Sequence, residues 1–173
     1  MLSMGWAGCP LRNGAGKIPA DSFKSIPATT DTGTMSQSNK ANALALHLGI
    51  DAEDVEAGFG GAYCADGLGE FYVLRREEAE ERARDYIRET VWAFRADFLA
   101  AYTPDGIDAE GLEALRGDRC EGANAGFLAL IEAGAGFDRF ADDAIAADGL
   151  GHFLATYDGE EIEAGGFLLY RLD

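Results

Sequence analysis

The residue whose type and neighbours best suit chemistry is His152, which has carboxylates on both sides along the chain. Asp148 lies four residues before it, and Asp158 lies six residues after it. A carboxylate can hold an imidazole in one tautomer, so that the ring acts as a general base or a metal ligand. The other histidine, His47, falls in a separate predicted helix, and metal sites need further ligands. A structural histidine after a Gly-Leu-Gly turn is therefore the favoured interpretation.

A thiol nucleophile is the second chemical candidate. Cys120, Asn124 and His152 supply the residue types of a thiol hydrolase, but such a set occurs by chance in most chains. The three cysteines are odd in number, far apart and without a CxxC pairing, which argues against a disulfide framework or a zinc site. We expect Cys120 to be a small buried residue. No serine follows Ser38, which excludes a serine nucleophile in the rest of the chain.

Two acidic runs near the C-terminus are candidates for binding. Their carboxylates belong to Asp142, Asp143, Asp158, Glu160, Glu161 and Glu163. Neither run has the alternating ligand spacing of an EF-hand loop, so the sequence predicts no calcium or magnesium site, and we expect no cofactor. These six residues are the predicted binding surface if the acidity has a function.

The net charge of −17 is unevenly distributed along the 173 residues. Residues 1–40 have four bases against two acids, so residues 41–173 carry −19. We expect no direct binding to DNA or RNA, because the sequence contains no basic stripe for phosphate contacts. No apolar run approaches the roughly 18–20 residues that cross a bilayer. A basic partner is compatible with this charge, and we expect the protein in the cytoplasm of a host cell.

A long amphipathic helix, predicted from Glu77 to Tyr102, organises the rest of the chain. Its apolar residues recur at steps of three and four, including Phe94 and Phe98. Glutamates crowd the first turns, where the helix dipole favours negative charge. The apolar face of this helix needs a partner surface.

Four strand candidates bracket the helical middle. Residues 63–65 and 71–74 flank one glycine-containing loop, and residues 152–157 and 167–171 flank an acidic loop, so each pair is typical of a β-hairpin. Shorter helical segments are predicted at 42–48, 51–56, 109–115, 119–133 and 137–147, with Asp108 as the N-cap of the third. The sequence therefore predicts an α+β fold, a small antiparallel β-sheet packed against the long central helix and several short helices.

Residues 1–40 differ in composition from the rest of the chain. All the lysines, methionines and serines lie there, and glycine, proline, serine and threonine dominate residues 27–38. We expect a disordered arm over residues 1–40 and a single acidic domain over residues 41–173. Because Met35 is an alternative start, residues 1–34 have two interpretations, a tail or an over-extended reading frame.

The stretch AIAADGLGHFLATYDGEE at residues 144–161 resembles a group of small acidic proteins carried by bacteriophages and other mobile elements. The segments GEFYVL at 69–74, VWAF at 91–94 and FLLYR at 167–171 are similar to the same group. The resemblance covers about residues 41–173. It implies a genetic setting and assigns no catalytic residue.

Three functions stay open at this point. The first is a non-enzymatic accessory protein whose acidic surface binds a basic, nucleic-acid-binding host protein, as a nucleic-acid mimic that inhibits a restriction or CRISPR system would do. In the second, the acidic residues only keep the protein soluble, as expected for a protein from a high-salt or GC-rich source. The third is a small hydrolase or metal enzyme that uses His152. We favour the first, and expect no enzymatic activity.

Overall fold

A computed structural model describes residues 33–173 of the protein. These residues form an antiparallel sheet and several helices, which confirms the predicted α+β class. They divide into two compact units, where the sequence predicted one domain over 41–173. One unit comprises residues 33–81 and Leu150–Asp173, and is called the sheet unit here. The other comprises Arg82–Gly149 and is called the helical unit.

The sheet unit contains five strands in the order β1-β2-β3-β5-β4, each antiparallel to its neighbours. They are β1 (Val55–Ala57), β2 (Ala62–Ala65), β3 (Gly69–Leu74), β4 (Ile162–Ala164) and β5 (Phe167–Arg171). The predicted hairpin around residues 66–69 is confirmed as β2 and β3, with Cys64 opposite Glu70. The N-terminal and C-terminal parts of the chain meet where β3 pairs with β5.

Helix α1 (Gly33–Leu48) covers one face of this sheet. Ala43 and Leu44 pack there against a set of buried strand residues. That set is Tyr63, Phe71, Val73, Phe167 and Leu169. These strand residues alternate along β2, β3 and β5, as expected for one face of a pleated sheet. The helix packed on this core is thus α1, and not the long helix that the sequence predicted. Residues 33–40 of the predicted disordered arm are helical, and residues 1–32 lie outside the described part of the chain.

The helical unit is formed by the C-terminal part of α2 (Arg76–Thr90) and by four further α-helices in the described chain. These are α3 (Ala96–Ala100), α4 (Ala109–Arg119), α5 (Asn124–Ala133) and α6 (Phe137–Asp148). Asp108 caps α4 as predicted, by accepting the backbone N–H of Gly111 at 2.8 Å. The core contains an aromatic cluster in which Phe140 contacts Phe94, Phe98 and Tyr102 at ring-centroid distances between 5.0 and 5.3 Å.

The predicted continuous helix from Glu77 to Tyr102 is wrong, because α2 ends at Thr90. Residues Val91–Ala93 form a 3₁₀ turn, and Phe94 has extended backbone angles. Side chains from other helices bond to backbone groups around the break. The Asn124 side-chain oxygen accepts the backbone N–H of Trp92, and Arg116 donates to the carbonyl oxygen of Phe94. Tertiary hydrogen bonds therefore offset the helical bonds that the break gives up.

The predicted strand at 152–157 is also wrong, because Leu150–Leu154 is a short helix, α7. The strand that forms the C-terminal hairpin with β5 is β4, which follows the acidic loop. Short apolar runs fit either a helix or a strand, and tertiary packing decides between them. Gly151 lies so close to Gly159 that a Cβ atom on it would be 2.4 Å from the Gly159 carbonyl oxygen. The segment 51–56, predicted as a helical turn, is a 3₁₀ turn at Ala52–Asp54 that leads into β1.

Candidate binding surface

The predicted catalytic residues are divided between the two units, with His152 in the sheet unit and Asp148, Cys120 and Asn124 in the helical unit. His152 is exposed on α7, where its ring meets Phe153 edge-on at 5.1 Å, and Asp148 is the last residue of α6 in the helical unit. Cys120 is disulfide-bonded and only half-buried, so the expectation of a small buried thiol and the argument against disulfides are both wrong. Its sulfur is therefore not a free thiol nucleophile. Asn124 is engaged at the helix break, where it also donates to the carbonyl oxygen of Arg88 at 2.9 Å.

The six carboxylates predicted as a binding surface are divided between the two units. In the helical unit, Asp142 is paired with Arg84, and Asp143 accepts the phenolic O–H of Tyr102 at 2.8 Å. Burial and the Asp143 carboxylate raise the pKa of Tyr102 to about 12, because both disfavour a phenolate there. These two carboxylates therefore already have intramolecular partners.

The other four carboxylates follow α7 in the sheet unit. Glu161 accepts the O–H of the fully buried Tyr170 at 2.8 Å and lies 3.6 Å from Arg76. Asp158 accepts the backbone N–H of Glu160 at 2.9 Å and so stabilises its own turn. Glu160 and Glu163 are exposed. As a binding surface, the set of six stays a prediction.

No three histidine, cysteine, aspartate or glutamate side chains gather to hold a metal ion within residues 33–173. In the same part of the chain, every helix is too short or too polar to cross a lipid bilayer.

A row of side chains across β1, β2 and β3 forms the strongest candidate site in the sheet unit. Glu56 lies opposite Cys64, and Cys64 lies opposite Glu70, so the three side chains project from the same face of neighbouring strands. This face is the reverse of the one that α1 covers, since Tyr63 and Phe71 are the alternate residues. Asp173 reaches the same end of the sheet, where its side chain accepts the backbone N–H of Glu70 at 2.5 Å.

The carboxylates of this row also act on the Cys64 thiol electrostatically. Burial raises the pKa of Cys64, and the charges of Glu70, Asp173 and Glu56 raise it further, because each disfavours a thiolate nearby. Cys64 is a free cysteine and half-buried. The row therefore places negative charge beside a thiol whose ionisation it disfavours, which suits attraction of cations and opposes thiolate chemistry.

The row continues into an exposed acidic segment at the edge of the sheet. Asp51, Glu53, Asp54 and Glu56 all have exposed side chains, and the last of them begins the row. The whole sheet unit has 15 acids against four bases over residues 33–81 and 150–173, so it carries −11. The helical unit has 14 acids against seven bases and carries −7. The sheet unit, which contains this edge, is thus the more negatively charged of the two units.

Few of the cations in the sheet unit are available to neutralise this edge. Lys40 pairs with Glu78 at 2.7 Å, and Arg76 lies beside Glu161. The guanidinium of Arg171 lies 4.1 Å from the ring centroid of Tyr157 and donates to the backbone carbonyl of Asp173. We name the carboxylates of Asp51, Glu53, Asp54, Glu56 and Glu70 the acidic edge.

Sequence reasoning missed the acidic edge, although it predicted one of the two strand pairings that form the row. The sequence predicted the hairpin around residues 66–69 without a register, and the structure shows that it pairs Cys64 with Glu70. Glu56 was assigned to a helical turn, and only the pairing of β1 with β2 brings it beside Cys64.

Comparison with known proteins finds no family model, no curated protein and no solved structure that matches this chain.

Proposed function

We propose that this protein is a non-enzymatic acidic accessory protein of a bacteriophage or mobile element, which binds a basic, nucleic-acid-binding protein in the cytoplasm of the host cell. The acidic edge carries the proposal, because the carboxylates of Asp51, Glu53, Asp54 and Glu56 are exposed and form no ion pair within residues 33–173. The phage setting rests on the resemblance of residues 144–161 and three shorter segments to acidic phage proteins.

A rigid support makes this charge suitable for recognition. The carboxylates of Glu56 and Glu70 are attached to hydrogen-bonded strands that are separated by one further strand, so their backbones are about 10 Å apart. Fixed charges attract a basic surface without the entropic cost of ordering a flexible acidic tail. Duplex DNA likewise offers negative charges on a stiff frame, and a protein that binds its phosphates can bind such a surface instead. On this basis we propose a nucleic-acid mimic, with a restriction or CRISPR enzyme as the class of target.

The test is capture of a partner from a bacterial lysate on the immobilised protein, followed by release with salt and with duplex DNA. We expect a DNA-binding protein to be retained at about 50 mM salt and released at about 0.5 M, because screening shortens the range of exposed charges from roughly 14 Å to roughly 4 Å. Excess duplex DNA should release the same protein at low salt. Retention of a partner that DNA does not displace would contradict mimicry.

Two variants of equal net charge separate recognition from solvation. The edge variant combines Asp51→Asn, Glu53→Gln, Asp54→Asn and Glu56→Gln. The control variant combines Asp85→Asn, Glu110→Gln, Glu121→Gln and Asp138→Asn, all of which are exposed in the helical unit. We expect only the edge variant to lose the partner. If both variants lost the partner equally, or if neither the native protein nor a variant retained a partner, the results would favour the interpretation that the acidic residues only keep the protein soluble.

A further inference from the structure

The outer edge of β1 is open in the described part of the chain. The sheet order places β1 at one end, and no strand among residues 33–173 pairs with its outer side. Glu56 and Ala57 are exposed. At the opposite end of the sheet, Ile162 and Ala164 of β4 are half-buried. Val55 of β1 is half-buried as well, so the two end strands differ at one position, where Ala57 is exposed and Ala164 is half-buried.

The register shows which backbone groups point outward from β1. Gly58 donates its N–H to the carbonyl oxygen of Ala62 at 2.8 Å, which makes these two residues a hydrogen-bonded pair. Antiparallel strands alternate between hydrogen-bonded and non-hydrogen-bonded pairs, so Glu56 bonds to Cys64 while Val55 and Ala57 direct their backbone groups away from β2. The N–H of Val55 already donates to the carbonyl oxygen of Ala52. Within residues 33–173, the carbonyl of Val55 and both backbone groups of Ala57 remain for an added strand.

The charge around this edge selects the kind of strand that can be added. A new strand would place one side chain beside Glu56, at roughly 5 Å, as the fourth member of the row that contains Glu70 and Cys64. A second copy of β1 would bring further carboxylates to this position, and like charges opposite each other destabilise a sheet. A lysine or arginine would instead complete the row with the opposite charge.

We propose that β1 docks an extended, lysine- or arginine-rich segment of a basic partner by β-strand addition, with a cationic side chain beside Glu56 and main-chain hydrogen bonds to Ala57. The inference deepens the proposed function and rests on it. Main-chain bonds supply part of the affinity in this mode, and the side chain beside the row supplies selectivity.

The test uses a fluorescent synthetic peptide of eight residues in which lysine alternates with valine, and measures its binding by anisotropy at low salt. Ala57→Pro removes the outward N–H and keeps the bonds of β1 to β2, because proline is tolerated at sheet edges. We expect this variant to bind about 3–10-fold more weakly, as the loss of one hydrogen bond predicts. Ala57→Ser keeps the N–H and should bind like the native chain.

Two further arms guard against a folding defect and against binding by charge alone. A peptide of the same charge, methylated at alternate backbone nitrogens, should bind the unaltered protein about 3–10-fold more weakly than the parent peptide. Glu56→Gln should weaken the parent peptide more than Asp85→Asn does. The amide resonance of Ala57 should shift on binding, and its hydrogen exchange should slow.

The outcomes separate this inference from the proposed function. If the methylated peptide and Ala57→Pro both leave affinity unchanged, or if the parent peptide does not bind at low salt, strand addition is overturned. A DNA-binding partner captured through the acidic edge would still support the proposed function in that case. If the edge variant also keeps every captured partner, the proposed function fails as well.

Discussion

Asn124 accepts the backbone N–H of Trp92 at 3.1 Å, and this hydrogen bond lies where the predicted long helix stops. The amide nitrogen of the same side chain donates to the carbonyl oxygen of Arg88, in the last turn of α2. One side chain thus satisfies a backbone donor and a backbone acceptor on the two sides of the break. Arg116 adds a third bond at Phe94. Side chains of α4 and α5 therefore stabilise the break between α2 and the following 3₁₀ turn.

Asn124→Ala should destabilise the protein, because it removes both hydrogen bonds and leaves two backbone groups of the break without partners. We expect a loss of about 1–3 kcal/mol in the free energy of unfolding, measured in urea. Asn124→Asp keeps the acceptor for Trp92 and loses the donor to Arg88, so it should cost less. An unchanged free energy for Asn124→Ala would show that the break does not depend on this residue.

Arg116→Met should be more costly than a change at the surface of the same helix. The Arg116 guanidinium is 5% exposed, and it donates to Phe94 and, at 2.8 Å, to Glu113. Its removal takes away a buried hydrogen bond to the Phe94 carbonyl, which we expect to cost about 2–4 kcal/mol in urea unfolding. Arg119→Met removes an exposed arginine from α4 and should change stability by less than about 0.5 kcal/mol. Equal effects of the two substitutions would contradict a role for Arg116 at the break.

Gly151→Ala should destabilise the sheet unit, because the new Cβ would lie 2.4 Å from the carbonyl oxygen of Gly159. The backbone must shift to relieve this overlap, at a cost of about 1–3 kcal/mol. Gly117→Ala is the control, since Gly117 lies within α4 and has open space around its Cβ position. That substitution should stabilise the protein by about 0.5–1 kcal/mol through helix propensity. Thermal unfolding of the two variants should therefore move in opposite directions.

Alkaline pH should weaken the contribution of Tyr102 to the free energy of unfolding. Its pKa is raised from 10.0 to about 12 in the folded chain, so the stability it adds is complete below pH 10 and is lost as the pH rises through 12. The difference in unfolding free energy between the native chain and Tyr102→Phe should be larger at pH 8 than at pH 12. The other tyrosines are the same in both proteins, so the comparison isolates this one. A difference that grows with pH would contradict the assigned direction.

Cys64 should react slowly with iodoacetamide at neutral pH. Its raised pKa lowers the fraction of thiolate, which is the reactive form. Glu70→Gln and Glu56→Gln each remove a charge that disfavours the thiolate, so each should raise the rate of Cys64 alkylation a few-fold, measured by peptide mass mapping. Asp138→Asn, in the helical unit, is the control and should leave the rate unchanged. Unaltered rates in both glutamate variants would show that the row does not face the thiol.

Local sequence patterns predicted several elements correctly. The hairpin of β2 and β3 follows from apolar strands around a glycine-containing loop, and α6 follows from Phe137, Phe140 and Ala144 at helical spacing. The N-cap at Asp108 follows from the preference of helix termini for short acidic side chains. Each of these signals depends only on residues that are close together in the chain.

The errors occur where distant residues compete with a local pattern. The apolar spacing from Glu77 to Tyr102 does continue, but Asn124 and Arg116 take the backbone groups that a continuous helix would use. The run at 150–154 has apolar residues that fit a strand as well as a helix, and in the structure it is the helix α7, with Gly151 close to Gly159. The strand β1 is only three residues long, too short to give a periodic signal.

The sequence by itself determined the α+β class, the negative charge and the lack of a basic stripe, because composition and short-range periodicity express these directly. Only the tertiary structure decided where the long helix stops, which helix covers the sheet, and which carboxylates share one surface. Pairing of β1 with β2 brings Glu56 beside Cys64 and Glu70, and strand pairing depends on residues that the chain order keeps apart.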